Sequence, residues 1–189
     1  MQLSIKGKQV DIGDALRTHI EETLPAAVAK YFDRATDSQV VVSREGNLFR
    51  VDIQVHVSRR VVVQGQGQSP DPYPAYEEAL EHVGKRLRRN KRRLSNHHGR
   101  EDDGALPALY YVVGAEDESK PEAESGDAPA IVAEMPHEIE TLSAGEAVMR
   151  MDLGDLPALL FRNAAHGRLN MVYRRKDGNF GWVDPQIAG

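Results

Sequence analysis

Phe49-Arg50-Val51-Asp52-Ile53-Gln54-Val55-His56-Val57 alternates apolar and polar side chains over nine residues. Successive side chains on a strand point to opposite faces, so Phe49, Val51, Ile53, Val55 and Val57 make one dry face. A half-buried strand needs neighbours. Residues 39–43 before it and 61–67 after it read as strands, with Glu45-Gly46-Asn47 and Ser58-Arg59-Arg60 as hairpin turns. Gly65 and Gly67 are expected to weaken the end of the last strand.

Helical patterns flank this block. Ile12, Leu16, Ile20, Leu24 and Val28 recur every four residues, with Tyr31 three further on, as one face of an amphipathic helix. Pro25 lies inside that pattern, removes a backbone donor and is expected to kink or split the helix. A short strand is expected over residues 2–5. Asp71-Pro72 opens a second long helix, since Asp caps and Pro fits the first turn. Tyr76, Leu80, Val83, Leu87 and Leu94 share a stripe along it. The first half is therefore an α+β unit, β-α-β-β-β-α, a sheet with two helices on one face.

The second helix carries Lys85-Arg86-Leu87-Arg88-Arg89-Asn90-Lys91-Arg92-Arg93, in which seven of nine residues are basic although the whole chain has a formal net charge of -5. Lys85, Arg88, Arg89 and Arg92 project away from the apolar stripe, and Arg86 and Arg93 lie on its flanks. The acids that usually intersperse on a solvated helix face stop after Glu81. Charge is uneven along the chain: residues 1–100 carry +5, residues 101–130 carry -8 and residues 131–189 carry -2. A cation cluster on an acidic chain suits a polyanion, because neutralising phosphates releases condensed counterions. Lys6, Lys8, Arg34, Arg59 and Arg60 are secondary phosphate candidates.

Three domains are expected: 1–100, an acidic flexible linker at 101–130, and a small β-rich unit at 131–189. The linker holds Glu116-Asp117-Glu118 and a Pro/Gly/Ser-bearing acidic run, a composition that favours disorder. Its one apolar island, Leu109-Tyr110-Tyr111-Val112-Val113, reads equally as a docked strand or a sticky patch. In the last unit, Ser143-Ala144-Gly145-Glu146 has the form of a capping box. Residues 159–163, 169–174 and 180–183 read as strands of a meander with a short helix. Fewer than 60 residues without disulfide or metal make a marginal core, and self-association would relieve that.

Other chemistry is not written in the chain. There is no cysteine, hence no disulfide framework and no thiolate zinc site. No apolar run reaches signal-peptide or membrane-span length, so a soluble cytosolic protein without a membrane partner is expected. His97-His98 ahead of Glu101-Asp102-Asp103 is the nearest approach to a ligand cluster, but adjacent residues do not share a helix face. Gly65-Gln66-Gly67 follows a strand, yet Pro70 stands where a dinucleotide loop needs its third glycine. Ser58, Ser69 and Ser95 lie in no nucleophile elbow. No enzyme activity, metal or cofactor is expected.

Met1-Gln2-Leu3-Ser4-Ile5-Lys6-Gly7, Ile12-Gly13-Asp14-Ala15-Leu16-Arg17, Lys30-Tyr31-Phe32-Asp33-Arg34 and Asp71-Pro72-Tyr73 resemble, in order and spacing, the ribosome hibernation promoting factor family. That family is also called the ribosome-associated inhibitor or sigma-54 modulation protein family. Phe161-Arg162-Asn163 and the run from Asn170 to Gly181 resemble the extra domain of its long form. The resemblance implies a head in the decoding region of the small ribosomal subunit, against ribosomal RNA, blocking translation by occupancy. It implies a tail that pairs with a second copy and joins two ribosomes into an inactive dimer in stationary phase or starvation. Tyr73 and Asp71 match the family's Asp-x-Tyr, and Lys85, Arg89 and Lys91 its recurrent basic positions, with Arg86, Arg88, Arg92 and Arg93 extending the cluster. Phe161, with Val172 and Tyr173 on the next strand, matches the long-form pairing surface. Ala158 and Leu159 stand where other members often carry aromatics. The acidic linker is expected to be repelled by RNA and to keep the tail apart from the head's binding site. The alternative attached to the family's older name is a transcription-linked modulator binding another protein or DNA.

Overall fold

A computed structural model of the chain describes residues 2–32, 35–58, 61–96, 104–114 and 131–186, apart from the side chains of Ser58 and of residues 92–96. The head comprises β1 (Gln2–Lys8), α1 (Asp14–Ala29), β2 (Asp37–Glu45), β3 (Leu48–Ser58), β4 (Val61–Ser69) and α2 (Pro72–Asn96). Its sheet runs β1-β2-β3-β4. β1 lies parallel to β2 across α1, and the other pairs are antiparallel. The expected β-α-β-β-β-α order is present, with both helices on one face.

The alternation of β3 produces that arrangement directly. Val51, Ile53, Val55 and Val57 are buried, as are Val40 and Val42 of β2 and Val61 and Val63 of β4. Leu16, Ile20, Leu24 and Val28 of α1 meet them, and Ala75, Tyr76, Ala79, Val83 and Leu87 of α2 complete one cluster. Burying each large aliphatic side chain contributes about 1.5–3 kcal/mol of transfer free energy. α1 runs unbroken through Pro25, so the expected split does not occur. Leu24 and Val28 on either side of it are fully packed, and tertiary packing outweighs one missing hydrogen bond.

Gly65 and Gly67 do more than interrupt a strand. A Cβ on Gly65 would stand 2.4 Å from the Ala79 carbonyl oxygen, and one on Gly67 2.2 Å from that of Ala75. The glycines let the backbone of α2 lie against β4. From there α2 closes the free edge of β4 with three side chains spaced four apart. The Gln68 amide donates to Glu78 Oε2 at 2.8 Å, the Gln66 carbonyl accepts from His82 Nδ1 at 2.7 Å, and the Gln64 carbonyl accepts from Arg86 Nη1. Beneath them the Tyr76 hydroxyl sits 2.7 Å from Thr23 Oγ1, and burial pushes its phenol up to about 12.

The remainder comprises β5 (Leu106–Val113), β6 (Ile131–Ile139), β7 (Thr141–Leu142), α3 (Ala144–Leu153), β8 (Ala158–Asn163), β9 (Leu169–Arg174) and β10 (Phe180–Val183). The apolar island of the expected linker is thus a strand, β5, paired antiparallel with β6. Residues 115–130, with the acidic run, lie outside the described residues. The other tail strands form a sheet in the order β10-β9-β8-β7. It is not a plain meander, because β7 lies parallel to β8 across α3. The capping box is made: the Glu146 amide donates to Ser143 Oγ at 3.3 Å and the Ser143 amide to Glu146 Oε2 at 2.9 Å.

α3 has two apolar sides. Ala147 and Met151 face Leu142, Phe161 and Val172 in the tail's own core, whereas Met149 and Leu153 belong to the core cluster of the head. The tail is therefore docked on α2, which the sequence did not lead one to expect.

Gly67→Ala should destabilise the head by about 1–3 kcal/mol, because the added methyl group must displace the backbone of α2. Gly84→Ala, on α2 with nothing near its Cβ position, should stabilise by roughly 0.5–1 kcal/mol. Urea unfolding of the two variants beside the parent chain measures both.

Candidate nucleic-acid interface

α2 rises about 1.5 Å per residue, so its 25 residues make a rod that carries the basic run on its second half. Asp71 starts it: Asp71 Oδ1 accepts from the Tyr73 amide at 2.8 Å. This hydrogen bond fixes Asp71 as a helix-capping group. Tyr73 is 40% exposed. Its ring lies 5.7 Å from that of His19 and borders a shallow apolar cleft with Val10, Ile12, Leu16 and Phe49. The ring is partly packed and partly exposed, which leaves area for base stacking.

The cations of the run do not act as one patch. Val83, Leu87 and Asn90 are buried against the sheet and tail, and Lys85, Arg88, Arg89 and Lys91 are exposed. Lys85 Nζ holds Glu81 Oε1 at 2.8 Å, and this ion pair lowers the Glu81 carboxyl below its usual value. Lys91 Nζ donates to the Lys30 carbonyl at 3.4 Å, which ties it to the C-terminal end of α1. Arg86 is turned inward to β4 and lies 2.5 Å from Asp155 Oδ1. Arg89 Nη1 donates to Asp152 Oδ1 at 2.8 Å, and Asn90 Nδ2 donates to Asp152 Oδ2 at 2.8 Å. Arg92 and Arg93 belong to α2, but their side chains are outside the described ones. Lys6 and Lys8 are exposed on β1. Arg34, Arg59, Arg60, His97, His98, Glu101, Asp102 and Asp103 fall outside the described residues. Among the described residues no three His, Asp or Glu side chains are grouped as metal ligands.

In the tail, Phe161 and Val172 have no accessible surface within this single chain. Within one chain they belong to the core cluster of the tail. The register explains why. Leu160 faces Met171 across β8 and β9, and Met171 faces Val183 across β9 and β10. These three residues share the opposite face of the sheet and are exposed, as is Leu169. Tyr173 lies on that outer face, its ring over Gly181, where a Cβ would stand 2.2 Å from the ring. Of the three expected pairing residues, Tyr173 alone is on the open side.

The residues that sequence reasoning missed are Asn90, Asp152 and Asp155. Asp152 is a charged residue between the apolar Met151 and Leu153, and buried charges are paired. That was the available signal.

Residues 3–95 match the family described as Sigma 54 modulation protein / S30EA ribosomal protein, and residues 126–181 match that family's C-terminal domain. The chain is 41% identical over 187 residues to the ribosome hibernation promotion factor of Rhizobium meliloti, covering 97% of each chain. It belongs to this family. The family is non-enzymatic. A second similar protein, the ribosome hibernation promotion factor of Bradyrhizobium diazoefficiens, is 37% identical, covering 98% of this chain and 95% of its own. A crystal structure of the Thermus thermophilus Protein Y N-terminal domain aligns with 47% of this chain and 98% of its own, at 27% identity and a TM-score of 0.42.

Phe161→Ala should destabilise the tail by about 3–5 kcal/mol through the cavity it leaves. Thermal unfolding followed at Trp182, the one tryptophan, reads this out. A variant that unfolds like the parent would show that Phe161 is not a core residue.

Proposed function

We propose that this chain is a cytoplasmic long-form ribosome hibernation factor. Its head binds the decoding region of the small ribosomal subunit against ribosomal RNA and blocks translation by occupancy. Its tail pairs with the tail of a second copy and joins two ribosomes into an inactive dimer. The observation that carries the reading is the exposed cationic side of α2, held rigidly on a sheet, in a chain of net negative charge. The names of its relatives support it. Folded RNA is recognised by shape, phosphates and 2′-hydroxyls, and a rigid rod of cations with a half-exposed tyrosine at its start is suited to that. Lys85, Arg88, Arg89, Lys91, Arg92 and Arg93 supply the charge, Tyr73 the ring, and Asp71 the cap that sets the ring.

For tail pairing, the outer face formed by Leu160, Met171 and Val183 is the favoured surface. It is apolar and open, on a unit too small to have a large core of its own. Tyr173 contributes the aromatic area that interface anchors commonly supply.

Arg88→Glu combined with Lys91→Glu should lower cosedimentation with purified small subunits by more than about tenfold. The salt dependence of the residual binding should become shallower, its log–log slope falling by about one for each phosphate no longer neutralised. Binding that is insensitive to both the charges and the salt would overturn the RNA reading. Met171→Asp should leave binding to single ribosomes unchanged and deplete ribosome dimers in a sucrose gradient, since a charge on the outer face must be desolvated on pairing. Dimers at full yield would remove that face from consideration.

A further inference from the structure

Two arginines of the basic run, Arg86 and Arg89, are already held by carboxylates of the same chain. Asp152 is 3% exposed. Its two oxygens take Arg89 Nη1 and Asn90 Nδ2, each at 2.8 Å, from the head, with Arg174 Nη2 at 3.6 Å from the tail. Asp155 lies against Arg86 and 3.8 Å from Arg174. Asp155 also holds a left-handed backbone, with φ of 51°. Asp tolerates this conformation better than most residues, and it turns the chain just after α3. Met149 and Leu153 seat beside these ion pairs in the head's core. The junction thus combines apolar burial with a buried carboxylate that draws two of its three partners from the other unit.

We propose that α3 and the turn after it form an intramolecular clasp, in which Asp152 occupies Arg89 in place of RNA phosphate, with Asp155 fastened to Arg86 beside it, until the head docks. The inference rests on the reading of α2 as the RNA-binding element. Guanidinium groups pair with any planar or tetrahedral oxyanion of suitable spacing, so carboxylate and phosphate compete for the same donors. In the closed chain, RNA meets Lys85, Arg88 and Lys91 first. Arg89 becomes fully available once α3 leaves, while Arg86 keeps its bond to the Gln64 carbonyl, and the tail is then free of the head. Apparent affinity falls in proportion to the open fraction, so a closed-to-open ratio of about ten weakens binding about tenfold. The clasp therefore links two events: engagement of RNA by the head and release of the tail.

The test uses the full-length chain and purified small ribosomal subunits. Asp152→Asn with Asp155→Asn keeps side-chain size and removes both charges, and should tighten binding by about three- to tenfold. Unchanged or weaker binding would overturn the clasp. The chain has no cysteine, so Asn90→Cys with Asp152→Cys introduces one pair where the two side chains now meet. Oxidation should give an intrachain disulfide in the free protein and lower affinity by about tenfold relative to the reduced form. Equal affinity of the two forms, or a disulfide formed only between chains, would overturn the clasp while leaving the RNA reading intact. Failure of the parent chain to bind small subunits at all would overturn the RNA reading and the clasp with it, and is told apart because it does not depend on oxidation.

Discussion

The approach of α2 to β4 is the interaction on which the rest depends. Two glycines on the strand let the helix approach with the carbonyls of Ala75 and Ala79 and the side chain of Val83 directly against the strand backbone. The helix then settles at a depth fixed by backbone, not by rotamers. That depth brings Glu78, His82 and Arg86 within reach of the β4 edge and turns Lys85, Arg88 and Lys91 to solvent. A bulkier residue at either glycine would lift the rod, open the edge and tilt the cationic side together. Function here follows from steric clearance before it follows from charge.

Much of the head was legible because its signals are local and redundant. The alternation of residues 49–57 fixed a strand, its face and its two neighbours, and the four-residue recurrence from Ile12 to Val28 fixed a helix strongly enough to override Pro25. The tail was legible in β8, β9 and β10 and in its capping box, while β6 and β7 were not read as strands. The parallel crossing of β7 to β8 was not, because strand direction depends on where a connection packs, and periodicity carries no such information. Gly65 and Gly67 were seen but misread: a missing side chain looks the same in a sequence whether it weakens a strand or admits a helix.

The candidate site was legible in composition and not in partition. Seven cations in nine residues announce a polyanion, but their division among solvent, strand edge and tail depends on residues some sixty positions away. Asp152 and Asp155 carry no motif. Phe161 illustrates the same limit from the other side. Its resemblance to a family signature singles it out, and only the register of β8 against β9 shows that it faces inward. Two apolar sides on one ten-residue helix could have raised the question of a second packing partner.

The ladder of Glu78, His82 and Arg86 along β4 has one more consequence. The outermost strand of an open sheet is a template on which stray chains can add, one after another, without limit. Here one amide and two carbonyls of that template are taken by side chains of the adjoining helix, which leaves this flank less open to an added strand.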